Sequence, residues 1–154
     1  MTAGRTEQAI VIDAPFDEVW EQTNDVAAWP DLFSEYAAAE ILTSTGDTVT
    51  FRLVMHPDDN GTVWSWVSER TADRESGTVR ARRVETGPFE FMNIVWTYRE
   101  ADGGGVELCW EQEFAMKSQA PVDTAWMTAN ISVNSSVQLA LIRSRVQERA
   151  RAAT

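Results

Sequence analysis

The chain has one cysteine, Cys109, one lysine, Lys117, and one histidine, His56, among its 154 residues. A single thiol excludes an internal disulfide and, with no companion nearby, a thiolate metal cage. A Ser-His-Asp triad would have to rest on His56, which stands beside Pro57 in a turn context with no serine in a nucleophile setting. His56 therefore reads as a surface or rim residue. No P-loop, Gly-rich dinucleotide motif, Cys/His cluster or calcium-loop spacing occurs. No apolar run approaches the roughly 20 residues of a membrane span. The opening Met1-Thr-Ala-Gly-Arg-Thr-Glu7 lacks the apolar stretch of a signal peptide, so a cytoplasmic protein is expected. Positive charge is scarce as well: 13 Lys+Arg against 24 Asp+Glu give a formal net charge of -11. Without a basic face a phosphate backbone cannot be neutralised, which argues against a nucleic-acid partner. An enzyme built from this chain is expected to work without metal, organic cofactor or covalent nucleophile.

What the chain has in surplus is tryptophan, seven in all. Trp64, Trp66, Ser68 and Arg70 alternate along Val63-Trp-Ser-Trp-Val-Ser-Glu-Arg70. Strand side chains alternate faces, so all four are expected on one face. Two indoles, a hydroxyl and a guanidinium suit the wall of a cavity holding something large, flat and oxygenated. An inward Arg70 needs an anionic or carbonyl-rich neighbour, because a buried charge costs several kcal/mol unless partnered.

The length fits one domain, residues 1–154 with a core of about 5–149. Gln8–Ile12 reads as a first strand. Ala14-Pro-Phe-Asp-Glu-Val-Trp20 opens a helix, with Pro15 at a starting position and acids in the first turn. Asn24-Asp25 and Trp29-Pro30 break it, and Asp31–Tyr36 reads as a second short helix. Six strands follow: Ala39–Thr43, Thr48–Met55, Thr62–Arg70, Thr78–Glu85, Phe91–Arg99 and Val106–Met116. The turns between them include Pro57–Gly61 and the glycine-rich 101–105 segment. From Ala120-Pro121 a helix runs to about Arg151, carrying Val122, Met127, Ile131, Leu141, Ile142 and Val146 as a discontinuous stripe. Asn130, Ser132, Asn134, Ser135, Ser136 and Gln138 interrupt it, so this face either meets water or roofs a polar-lined cavity.

Period-two counting puts Met92, Ile94, Trp96 and Tyr98 on one face of their strand, and Leu108, Trp110, Gln112 and Phe114 on one face of the next. Trp64, Trp66, Trp96 and Trp110 should therefore converge on the concave side with Gln112, Ser68 and Arg70. Buried indole N–H groups need partners, which water or ligand in a cavity can supply. The predicted fold is α+β: a curved seven-stranded antiparallel sheet around a long C-terminal helix, with two short helices after the first strand and an interior cavity.

Three stretches carry a family resemblance: Asn24-Asp-Val-Ala-Ala-Trp29-Pro-Asp-Leu-Phe33-Ser34-Glu-Tyr36, Val63–Arg70, and Val84-Glu-Thr-Gly87-Pro88-Phe89-Glu-Phe-Met92-Asn93. Trp96-Thr-Tyr98, Trp110-Glu-Gln112-Glu-Phe114 and Ala120–Ala129 extend it to nearly the whole chain. Together they resemble bacterial aromatic polyketide aromatase/cyclases of the tetracenomycin and spore-pigment type, in the helix-grip (START, Bet v 1-like) superfamily. The resemblance implies that a poly-β-ketone on an acyl carrier protein, made by a minimal polyketide synthase, is cyclised by intramolecular aldol condensation and then loses water. It implies C9–C14 closure of the first ring. By position, Arg70 matches the key polar residue deep in the pocket. Tyr36, Trp29, Phe33, Ser34, Trp64, Trp66, Ser68, Phe89, Met92, Trp96, Trp110 and Gln112 match pocket positions, as does Asn130 or its helix neighbours. On this reading Arg70 binds the oxyanion, Tyr36 passes protons, and Ser34, Ser68 and Gln112 hydrogen-bond other carbonyls. Arg80, Arg82 and Arg83 are candidates for a local carrier-docking patch. Two rivals follow from the same fold: a non-catalytic carrier of hydrophobic ligands, or a chaperone-like subunit that shapes the chain and adds no chemistry.

Overall fold

The computed structural model of the protein describes residues 3–152, so the ends of the expected 1–154 domain lie outside the described residues. In chain order the elements are β1 (Gly4–Ile12), α1 (Phe16–Asn24), a 3-10 turn (Val26–Ala28), α2 (Trp29–Leu32), β2 (Tyr36–Thr45), β3 (Thr48–Met55), β4 (Ser65–Asp73), β5 (Thr78–Arg83), β6 (Phe89–Glu100), β7 (Val106–Met116) and α3 (Thr124–Ala152). The seven strands form one antiparallel sheet in the order β1-β7-β6-β5-β4-β3-β2. The two halves of the helix pair α1–α2 leave the sheet at the end of β1 and rejoin it at β2, the opposite edge. Register irregularities in β2 and β6 add bend to a sheet that already twists.

Side-chain alternation builds the core. Ile12, Val106, Leu108, Trp96 and Trp110 project from the concave face, and Leu139, Ile142, Val146 and Ala150 of α3 are buried in the same cluster. The buried face of α3 thus contains Ser135, Gln138, Leu139, Ile142 and Val146, at helical spacings of three and four. Leu141, expected in the stripe, is only half-buried. On the convex face Arg5–Glu111, Arg52–Glu85, Arg82–Glu69 and Arg99–Glu107 pair across strands. Exposed pairs of this kind stabilise little, about 0–1 kcal/mol each.

Most strand ends shift by a few residues from the sequence expectation, and three boundaries shift for a clear local reason. The second helix is Trp29–Leu32 rather than Asp31–Tyr36, because Pro30 sits in its first turn and starts the helix instead of breaking it. Tyr36 is consequently a strand residue. β4 starts at Ser65 rather than Thr62, because the Asp58 carboxylate gathers the backbone N–H groups of Asn60 and Thr62 and the Trp64 indole, holding that segment as a loop. α3 begins at Thr124 rather than Ala120, where Asp123 accepts the Trp126 backbone N–H at 2.8 Å and so caps the first turn.

Candidate functional site

The alternation along β4 doubles as a scale of depth. Trp64 is 47% exposed, Trp66 is half-buried, and Ser68 and Arg70 are buried. At the strand rise of about 3.3 Å per residue, Trp66 to Arg70 spans roughly 13 Å. The rim therefore lies toward Trp66 and the floor at Arg70.

Arg70 is 5% exposed, and burial pulls its pKa below the usual guanidinium value. Its Nη1 donates to Asn24 Oδ1, while its Nη2 is buried without a partner. Its Cζ stands 5.1 Å from the Trp29 ring centroid and 5.0 Å from that of Trp96, and those two rings lie nearly parallel, 18° apart. The Tyr98 hydroxyl, which hydrogen-bonds Thr23 at 2.7 Å, also interacts with the Arg70 guanidinium and partly offsets the effect of burial on it. No carboxylate pairs with Arg70 among the described residues. A buried cation left without a counter-charge is expensive in an isolated protein and useful in one that binds oxygen-rich ligands. Trp110 Nε1 is a second buried donor with no partner.

Nearer the rim, Tyr36 is buried between Trp29, Phe33 and Trp66. Burial first, and then the adjacent Glu35 carboxylate, push its pKa well above the ordinary phenol value, so it remains protonated at neutral pH. Glu35 is itself raised by burial, with Asn134 donating to its Oε2 at 3.0 Å. Arg83 lies over Trp66 (4.0 Å) and Phe89 (4.7 Å), and burial lowers it to about 10.

The polar interruption of α3 resolves into a row of contacts with the pocket wall. Ser132 accepts from Gln8 (3.0 Å) and Ser135 donates to Gln112 (3.3 Å). Gln138 accepts from the Ser34 backbone N–H (3.0 Å) and donates to its hydroxyl (2.8 Å). The roof reading of that face is therefore correct for Ser135 and Gln138, while Asn130 and Ser136 are exposed.

The structure brings most of the expected residues together. Trp29, Phe33, Tyr36, Trp96 and Trp110 share one buried cluster with Trp66 against it, and Phe89 and Met92 sit in a second with Phe114 and Met116. Gln112 donates to Met92 Sδ at 3.3 Å, between the two. Ser68 is buried opposite Arg83 in the β4–β5 register. Three residues depart from expectation. Trp64 is outside the pocket, its indole held by Asp58 at 3.0 Å, because it precedes the strand. Asn130 points to water, one turn short of the buried stripe. Ser34 is exposed at the rim and engaged by Gln138. The interior is also tighter than an open cavity: the rings of Trp29, Phe33, Tyr36, Trp96 and Trp110 are in mutual contact. An open cleft of about 960 Å³ lies elsewhere, between Gly4, Glu90, Met116, Thr124 and Thr128.

Sequence reasoning assigned no role to Asn24 or Glu35, gave Tyr98 only an inward face and Gln138 only a place in the polar interruption of α3, and placed Arg83 with Arg80 and Arg82 on the surface. Asn24 was legible only as a helix end. Arg83 was legible, since Val79, Ala81 and Arg83 alternate onto the inner face while Arg80 and Arg82 turn outward.

Comparison with known proteins agrees with this architecture. A protein of Streptomyces cyaneus described as a candidate polyketide cyclase is 63% identical over 146 residues, 95% of each chain. A granaticin polyketide synthase bifunctional cyclase/dehydratase of Streptomyces violaceoruber is 24% identical, over 90% of this chain and 42% of that one. Among solved structures, the Zhui aromatase/cyclase of Streptomyces sp. R1128 superposes with a TM-score of 0.80 at 20% identity, covering 97% of this chain and 94% of that one. A START superfamily protein of Mycobacterium smegmatis superposes with a TM-score of 0.71 at 12% identity, covering 98% and 99%. The sheet wrapped on α3 is thus the START-like helix-grip fold expected from the sequence. No helix among the described residues is long and apolar enough to cross a membrane. The family model for polyketide cyclase/dehydrase and lipid transport matches residues 12–138, and the chain belongs to that family.

Proposed function

We propose that the protein is a polyketide aromatase/cyclase that takes a poly-β-ketone from an acyl carrier protein into the pocket beneath α3 and directs its first aldol ring closure, between C9 and C14, followed by dehydration. The observation that carries this reading is Arg70: a buried guanidinium beside two stacked indoles, with Nη2 unpartnered and no carboxylate paired with it.

The chemistry asks for little more. A methylene between two ketones is acidic enough to lose a proton to a modest base, and the enolate carbon then attacks a distant carbonyl carbon. One C–C bond forms while the C=O π bond opens, leaving the pair on oxygen as an alkoxide. Arg70 stabilises that oxygen electrostatically and keeps its own proton. Tyr36, held as a phenol by burial, is the donor that hydrogen-bonds the developing alkoxide and returns a proton to it, directly or through water. Loss of a proton from carbon and of hydroxide from the adjacent carbinol yields water and the ring unsaturation. Every step conserves oxidation level, so no redox partner is required. The larger contribution is selection of one carbon pair in a flexible chain, and holding reacting groups together is worth up to about 7–11 kcal/mol in well-oriented systems. The aromatic walls supply that holding once the rings part to admit the chain.

The test is a minimal polyketide synthase reconstituted with and without the protein, with product analysis. A shift from mixed spontaneous products to one aromatised pattern supports the reading and identifies the ring closed. An unchanged mixture with folded protein refutes it and favours a ligand carrier of the same fold.

A further inference from the structure

Arg83 has a position that none of the roles above uses. It ends β5, and its register partner Ser68 faces the pocket, so Arg83 faces it too. Its guanidinium covers Trp66 at 4.0 Å and Phe89 at 4.7 Å, both of them expected pocket residues. It joins no ion pair among the described residues; Tyr36 and the Glu35 carboxylate, which accepts a hydrogen bond from Asn134, act on its charge without pairing with it. A guanidinium stacked on aromatic faces keeps its in-plane N–H edge free for oxygen acceptors. Burial lowers its pKa to about 10, which still leaves it charged at neutral pH.

The pocket therefore has two such cations, directed to opposite ends. Arg70 pairs with Ala81 and Ser68 with Arg83, so the two arginines are offset by one strand and two residues. Sheet spacing converts that to roughly 8 Å between their Cα atoms. From there the side chains diverge: Arg70 bonds Asn24 at the floor, and Arg83 covers Trp66 toward the rim. A long flexible chain fixed at one oxygen can still fold back in many ways. Fixed at two, it retains few.

We propose that Arg83 is a specificity-determining residue, which rests on the cyclase reading: it holds a second carbonyl or enolate oxygen of the polyketone toward the rim while Arg70 holds one at the floor, and the pair sets which carbons meet. A surface carrier-docking role fits Arg80 and Arg82, which face outward, but not Arg83.

The experiment compares wild type, Arg83→Gln and Arg83→Lys in the reconstituted synthase by the ratio of cyclisation patterns, together with tryptophan-quenching titration of each protein with 1,8-dihydroxyanthraquinone. The expected result is that Arg83→Gln shifts the pattern ratio by about tenfold or more, the scale of one charge-assisted hydrogen bond. Arg83→Lys, which keeps the charge and loses the planar fork, should fall between. The probe should bind Arg83→Gln about tenfold more weakly than wild type. A wild-type ratio in Arg83→Gln overturns the proposal, as does a proportional fall of all products at constant ratio, which indicates access or docking. If Arg83→Gln does not fold, Arg83→Lys decides: an unchanged ratio and unchanged probe affinity overturn the proposal. If wild type leaves the synthase products unchanged, the cyclase reading fails, and oxygen recognition by Arg83 is then judged on the probe titration.

Discussion

Replacing Arg70 by methionine separates a residue that supports the fold from one kept ready for a ligand. In wild type the guanidinium is buried at a cost of several kcal/mol. Against this stand one charge-assisted hydrogen bond to Asn24, about 1.5–3 kcal/mol, and two indole faces, about 0.5–2 kcal/mol each. Methionine removes the charge and the desolvation cost together, fills much of the same space beside Trp29 and Trp96, and leaves Asn24 Oδ1 short of a donor, about 1–3 kcal/mol. These opposing contributions nearly cancel. The expected change in unfolding free energy is within about 2 kcal/mol of zero, in either direction, which is less than about 8 °C in Tm for a domain this size. An arginine whose charge the protein itself compensates would behave differently, because breaking a buried pair costs about 3–5 kcal/mol. Thermal and denaturant unfolding of purified Arg70→Met give the stability, and the reconstituted synthase gives the activity. The expected outcome is a stable protein with no directed cyclisation. A loss of more than about 3 kcal/mol would refute the reasoning, since Arg70 would then be part of the scaffold.

Three further predictions follow from the same geometry. Tyr36→Phe removes the phenol while keeping the ring among Trp29, Phe33 and Trp66, so directed cyclisation should slow by about tenfold or its product mixture should broaden, with unfolding nearly unchanged. Glu35 has its folded-state pKa raised by burial above the ordinary 4.5, so the unfolded chain ionises first and wild type loses stability as pH rises through that interval. Glu35→Gln should therefore gain on wild type as pH increases above about 4.5, read by urea titration at a series of pH values; a flat or inverted difference would contradict it. Gly77 has φ +66°, and a Cβ there would stand 2.6 Å from the Tyr98 carbonyl oxygen, whereas Gly46 has φ +59° with nothing within 4 Å. Gly46→Ala should cost only the left-handed penalty of about 1–2 kcal/mol, and Gly77→Ala clearly more, as measured by Tm.

Some of these features are visible in the linear chain and others are not. Strand count, the inward faces of β6 and β7, and the burial of Ser68 and Arg70 follow from period two, because alternation is a property of the extended backbone itself. The same count should have turned Arg83 inward; grouping it with Arg80 and Arg82 by charge overrode the alternation. The limits of β4 were not legible, because they depend on the Asp58 side chain gathering Trp64 and two backbone N–H groups into a loop.

By itself the sequence determined the helix-grip order of elements, the side of the sheet on which the tryptophans gather, and the family, since all three are carried by local spacing and contiguous motifs. Only the tertiary structure decided what surrounds each of those side chains. It put Asn24 and Tyr98 beside Arg70 across spans of 46 and 28 residues, docked Gln138 onto Ser34, and left Arg70 Nη2 and Trp110 Nε1 without acceptors. Which polar groups are paired and which are left free is a property of packing between distant segments. No periodicity within one segment encodes it.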